Sequence, residues 1–160
     1  MSTHALTWLR GPKCVASSSP LDRIRASLEC TGLLRFFEPY LFSASDVMRG
    51  KPAPDLFIYV ASKMRVAPSD CIVVEDSPAG VTAAHAAGMV PIGFIGGSHT
   101  NPGLGAHLTN AGARAVIADM IDWGVSAGQV SGTYSPPSRA SPASVTSIKL
   151  SGGASPRVET

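Results

Sequence analysis

A chain of 160 residues, 44% hydrophobic and 15% charged, is long enough for one domain with a sizeable core. A formal net charge of +2, carried by scattered basic residues, argues against nucleic acid or an anionic membrane as a partner. No apolar run reaches membrane-spanning length, and the N-terminus lacks the apolar core of a signal peptide. Three widely spaced cysteines (Cys14, Cys30, Cys71) with no CxxC pair fit a reducing, cytoplasmic setting.

In chain order, Ala5 to Leu9 reads as a short helix closed by Gly11-Pro12, and Lys13 to Ser17 as the first strand. Ser19 and Asp22 resemble a capping box, with Pro20 in the first helical position. Leu21, Ile24 and Leu28 recur at helical spacing, and Gly32 is the expected stop. Phe36 and Phe37 pack the return, Tyr40 to Phe42 is a short strand, and Ser43 to Gly50 is a polar loop. Lys51-Pro-Ala-Pro54 is rigid because each proline fixes φ and restricts the residue before it. Asp55 is the expected cap of a helix whose apolar face is Leu56, Tyr59, Val60 and Met64.

Cys71 to Val74 is a short, partly β-branched apolar run and reads as a buried strand. Glu75 and Asp76 follow at once, then Ser77 as N-cap and Pro78 at the first helical position. The next helix runs from about Ala79 to Ala87 with Gly88 as its stop, and Val90 to Ile95 is another strand. A loop spans 96–103, a helix lies near Leu104 to Asn110, Ala115 to Ile117 is a strand, and a turn near Met120 to Trp123 closes the pattern. Alternating strands and helices predict an α/β fold, a largely parallel sheet with helices on both faces. From Ser126 to Thr160, Ser, Gly, Pro and Ala dominate and periodicity disappears, so residues 126–160 read as a disordered tail behind a core spanning 1–125.

Two acids at the carboxyl end of a core strand repel unless something compensates them, and Mg²⁺ suits carboxylate oxygens. In open α/β sheets, that edge is where ligands bind. From these residues alone, an ordinary strand end with its acids facing water accounts for the pattern equally well. Ser17-Ser18, Lys51 and Glu75-Asp76 all fall at strand-to-helix edges and together contain the parts of a phosphate-handling site. These are a hydroxyl with backbone N–H groups, a cation and a carboxylate pair. His99 reads as an exposed loop residue and His85 as a helix-surface one, while Gly103-x-Gly105 does not meet a dinucleotide fingerprint.

Ser17-Ser18, Gly50-Lys51-Pro-Ala-Pro-Asp55 and Val74-Glu-Asp-Ser-Pro-Ala-Gly80 resemble motifs II, III and IV of the haloacid dehalogenase (HAD) superfamily. The similarity is greatest to the branch containing β-phosphoglucomutase, phosphoglycolate phosphatase and related sugar-phosphate phosphatases, and it runs from about Lys13 to Trp123. The resemblance implies a Rossmann-like three-layer core, a small phosphorylated metabolite as substrate and Mg²⁺ as cofactor. It also implies phosphate binding by Ser17 and Ser18 and charge balance on phosphate and nucleophile by Lys51, the catalytic residue of the set. Mg²⁺ coordination falls to Asp76, with Glu75 beside it as a ligand or as an acid just behind it.

The chain departs from that pattern in two respects. Motif I of the superfamily is an Asp-x-Asp on the first strand, whose first aspartate attacks phosphorus. Residues 1–20 here contain no Asp or Glu, and no Asp-x-Asp occurs anywhere in the chain. The helical cap between motifs I and II is also absent, so the chain is expected to be the carboxyl-terminal part of such a phosphatase, with an incomplete core. By resemblance, the absent strand lies between those carrying Ser17 and Glu75-Asp76. Its loss is expected to leave two apolar strand edges unpaired and the chain poorly stable. The alternative to a phosphatase is an inactive remnant that binds phosphate or Mg²⁺ weakly.

Overall fold

The structure is a computed structural model, which describes residues 11–97, 101–119 and the strand 143–145. Its strands are β1 (Lys13–Ser17), β2 (Leu41–Ser43), β3 (Cys71–Glu75), β4 (Val90–Phe94), β5 (Ala115–Ile117) and β6 (Ala143–Val145). Its helices are α1 (Leu21–Cys30), α2 (Asp55–Met64), α3 (Pro78–Ala86) and α4 (Leu104–Asn110). The strands form one sheet in the order β2-β1-β6-β3-β4-β5, and every pairing is parallel. Strand alternates with helix from β1 to β5, as the sequence predicts. The expected helix at 5–9, the turn at 120–123 and His99 lie outside the described residues.

Period-two alternation sorts the core. Cys14 and Ala16 of β1 face one layer, where they pack with Leu56, Phe57, Val60 and Ala61 of α2 and with Ala83 and Ala84 of α3. Val15 faces the other layer and packs with Ile24 and Leu28 of α1, and with Leu33 and Phe37. Cys71 and Val73 continue the first layer across β3, while Val74 joins Ile117 on the opposite side. Cys14 and Cys71 are therefore core residues, as their strand settings imply. Burial pushes the Cys71 thiol up to about 11, with Asp70 adding to the effect.

Local chemistry moves several boundaries. Ser19 does not cap α1. Its N–H donates to Ser17 Oγ at 3.1 Å, its carbonyl accepts from Ser43 Oγ at 2.9 Å, and the helix starts only after Pro20. Asp55 is the first residue of α2 rather than its cap, and its carboxylate accepts two bonds from the Arg49 fork, at 2.8 and 3.1 Å. The buried face of α2 is Leu56, Phe57, Val60 and Ala61. Tyr59 stands at its margin, edge-on to Phe42, and Met64 is only partly buried. Strand β2 is shifted by one residue, to Leu41–Ser43, because Ser43 pairs with Ser17 before it caps the short turn that follows. Helix α3 stops where expected. Gly88 takes φ +78, and Met89 N–H reaches back to the Ala84 carbonyl at 3.1 Å.

The expectation of two bare edges in the middle of the sheet is overturned. Ala143–Val145, inside the stretch read as a tail, forms β6 and pairs with β1 on one side and β3 on the other. The rest of that stretch lies outside the described residues.

Candidate functional site

Because all pairings are parallel, β1, β2 and β3 end at one edge, with Ser17, Ser43 and Glu75 as their last residues. The first turns of α1 and α3 rise from the same edge, which brings two positive helix ends there. Register gives Ala16 and Glu75 one face of the sheet, and Ser17 and Val74 the other.

Lys51 and Glu75 are brought together directly. The Lys51 ammonium forms an ion pair with Glu75 Oε1 and donates to the Ala16 carbonyl at 3.4 Å. Both side chains are withdrawn from water, with 8% and 0% of their surface exposed. A pair this buried holds only when its remaining polar positions are also used. Glu75 Oε2 accepts from Ser77 Oγ at 3.0 Å and Ser77 N–H at 3.3 Å. Lys51 also lies over the Phe57 ring, 5.1 Å from its centroid, a favourable position for a desolvated cation. One lysine thus links the ends of β1 and β3.

Ser17 is buried at the same edge, with its hydroxyl accepting from Ser19 N–H. Ser18 is exposed in the loop above it, and Asp76 is half-buried, one residue past β3. The structure therefore pairs Lys51 with Glu75, places Ser17 beside the Ala16 carbonyl that Lys51 reaches, and sets Ser18 and Asp76 in the two neighbouring turns.

Two further residues, Ser77 and Gly80, shape the site. Ser77 was expected only to cap α3, which it does by accepting from Gly80 N–H at 3.1 Å. It also binds Glu75, so the same side chain joins the helix start to the ion pair. Gly80 lets α3 close over Glu75, since a Cβ at that position would sit 2.1 Å from Glu75 Cδ. The only sequence signal for this is a glycine one turn after the cap, in Ser77-Pro-Ala-Gly80.

Among the described residues, no three His, Cys, Asp or Glu side chains gather closely enough to hold a metal ion. With Glu75 bound to Lys51 and Ser77, the turn after β3 offers a metal one further carboxylate, Asp76. That does not suit Zn²⁺ or Ca²⁺, which need several protein ligands. It does suit Mg²⁺, which is usually held by one or two carboxylates together with phosphate oxygens and water.

Comparison with known proteins agrees with the topology. A family model described as haloacid dehalogenase-like hydrolase matches residues 2–88. A 6-phosphogluconate phosphatase of Escherichia coli (strain K12) is 35% identical over 97 residues, which is 61% of this chain and 44% of that protein. The chain thus spans less than half the length of this curated relative. A haloacid dehalogenase-like protein of unknown function from Agrobacterium tumefaciens str. C58 superposes with a TM-score of 0.76 at 41% identity, covering 80% of this chain and 59% of that one. A HAD family hydrolase from Deinococcus radiodurans R1, solved with bound phosphate and sodium, superposes with a TM-score of 0.71 at 29% identity, covering 80% and 56%.

Proposed function

Since the chain belongs to the haloacid dehalogenase-like hydrolase family, we propose that it carries the phosphate- and Mg²⁺-binding part of a phosphatase acting on a small phosphorylated metabolite. The observation that carries this reading is the Lys51 ammonium, fixed between Ala16 and Glu75 at the carboxyl edge of the sheet. The phosphate of the substrate lies above Ser17. The Ser17 hydroxyl and the N–H of Ser18 donate to its oxygens, with the positive end of α1 adding to the attraction. Lys51 is the catalytic residue of the set: its charge offsets the negative charge that builds on the transferring phosphoryl group.

Charge counting brings in the cation. The Asp76 carboxylate and an incoming phosphate dianion are both negative. Mg²⁺ held by Asp76 with phosphate oxygens and water would supply the compensating charge. Glu75 does not bind the ion; it sets the position of Lys51. That phosphate and a cation occupy the related Deinococcus structure, and that the E. coli relative is a 6-phosphogluconate phosphatase, supports the substrate class. The compartment we assign is the cytoplasm, where cysteines such as the exposed Cys30 remain reduced.

A second reading, phosphate and Mg²⁺ binding without turnover, is favoured by one specific observation: the 160 residues contain no Asp-x-Asp to supply a nucleophile. Hydrolysis of an aryl phosphate by the purified full chain separates the two. Turnover that needs Mg²⁺ and is lost in Asp76→Ala supports the phosphatase. Phosphate binding that is lost in the same variant, with no turnover in the parent, supports the binding-only reading. If neither binding nor turnover responds to Asp76→Ala, the role given to Asp76 is wrong.

A further inference from the structure

We infer that Ala143–Val145 is an intrinsic clip strand: the distal part of the chain returns to the middle of the sheet and holds β1 and β3 at the separation the Lys51 bridge requires. The inference does not depend on the phosphatase reading. It begins from the register. Lys13 and Cys14 stand opposite Ser144 and Val145 on one side. Cys71, Ile72 and Val73 stand opposite Ala143, Ser144 and Val145 on the other. No pairing joins β1 to β3 directly, so β6 is the strand that makes one sheet of β2-β1 and β3-β4-β5.

Spacing gives this consequence for the site. Neighbouring strands lie about 4.8 Å apart, so strands on either side of β6 are separated by about 10 Å. Two residues beyond the last positions paired with β6, Lys51 reaches the Ala16 carbonyl of β1 and the Glu75 carboxylate of β3. Were β1 and β3 to pair directly, the interval would halve and the ammonium would have no place between them. Were the two parts of the sheet to drift apart, one of its two partners would be lost.

The chain can make the return. Twenty-five residues, 118–142, separate β5 from β6, and at about 3.3 Å per extended residue they far exceed the three strand spacings to be crossed. The sequence fits as well. Pro142 precedes the strand, where the lack of an N–H is tolerated. Val145, Thr146 and Ile148 are β-formers in a stretch otherwise rich in Ser, Gly and Pro.

The test uses the full chain. Ser144→Pro removes a donor from the central strand and is compared with Ser151→Pro, which lies beyond it. Ser144→Pro should speed amide exchange at Cys14 and at Ile72 to Val74 by roughly tenfold or more, while Ser151→Pro leaves those amides unchanged. Because the proline variant can fail to fold, a second measurement leaves the strand intact. In a Cys30→Ser background, Val145→Cys should form an oxidative cross-link to Cys14 within one chain, mapped by mass spectrometry at high dilution. Ser151→Cys should not. Equal exchange in the two proline variants, a cross-link no stronger than the Ser151→Cys control, or a link formed only between chains would each overturn the inference.

Discussion

Gly80→Ala is expected to destabilise the protein by about 1–3 kcal/mol, the cost of forcing extra volume into a packed site. In an exposed helix the same change stabilises by up to about 1 kcal/mol, because glycine is a poor helix former. Here the sign reverses. The new methyl carbon would lie 2.1 Å from Glu75 Cδ and 2.3 Å from both carboxylate oxygens. Glu75 cannot simply swing aside, because Lys51 holds one oxygen and Ser77 the other. The urea midpoint should fall with little change in slope. Shortening the obstructing side chain should return part of the loss, so Glu75→Asp with Gly80→Ala should be more stable than the sum of the two single changes allows. An unchanged or raised midpoint in Gly80→Ala would mean that α3 does not close over Glu75 as described.

The ion pair itself should give the largest effect. Removing one partner of a buried pair leaves the other charge uncompensated and costs about 3–5 kcal/mol. Lys51→Met and Glu75→Leu should each approach that range, a large share of a typical stability of about 5–15 kcal/mol. Replacing both, as Lys51→Met with Glu75→Leu, removes the charges together and should be far less costly than the two single losses combined. Chemical denaturation of the four proteins measures this directly. Additive losses would show that the two groups do not act as a pair. The double variant also separates structure from function, since it should recover stability without recovering phosphate binding.

Much of the architecture is legible in the sequence because its signals are local. Period-two and period-3.6 patterns, Ser77-Pro78 at a helix start and Gly88 at its stop locate β1, β3, β4, α3 and α4 to within about a residue. Two of the differences occur where a polar residue expected to cap a helix bonds elsewhere. Ser19 is engaged by Ser17 and Ser43 instead of capping α1, and Asp55 binds Arg49 instead of capping α2. The observed face of α2 differs from the expected one because Phe57 and Tyr59 are both large aromatics two positions apart, and the packing against β1 and β3 decides between them.

The site shows the same division. That Ser17, Lys51 and Glu75-Asp76 belong to one edge follows from their order and from strand-to-helix turns. That Glu75 serves Lys51 could not be read there, because adjacent acids look alike until burial distinguishes them. Glu75 is 1% exposed, whereas Asp76 is half-buried. The strand at 143–145 was missed because three residues of Ala-Ser-Val carry almost no periodic signal, and a central parallel strand is specified by the neighbours that enclose it.

The most direct test is a titration of the isotopically labelled full chain with inorganic phosphate in the presence of Mg²⁺, followed residue by residue by NMR. Shifts should concentrate in the amides of Ser17 to Ser19 and of Asp76, Ser77, Ala79 and Gly80 and in the Lys51 side chain, and should weaken in Asp76→Ala. Saturating phosphate that left these signals in place, or moved a different set, would contradict the assignment of this edge as the phosphate site.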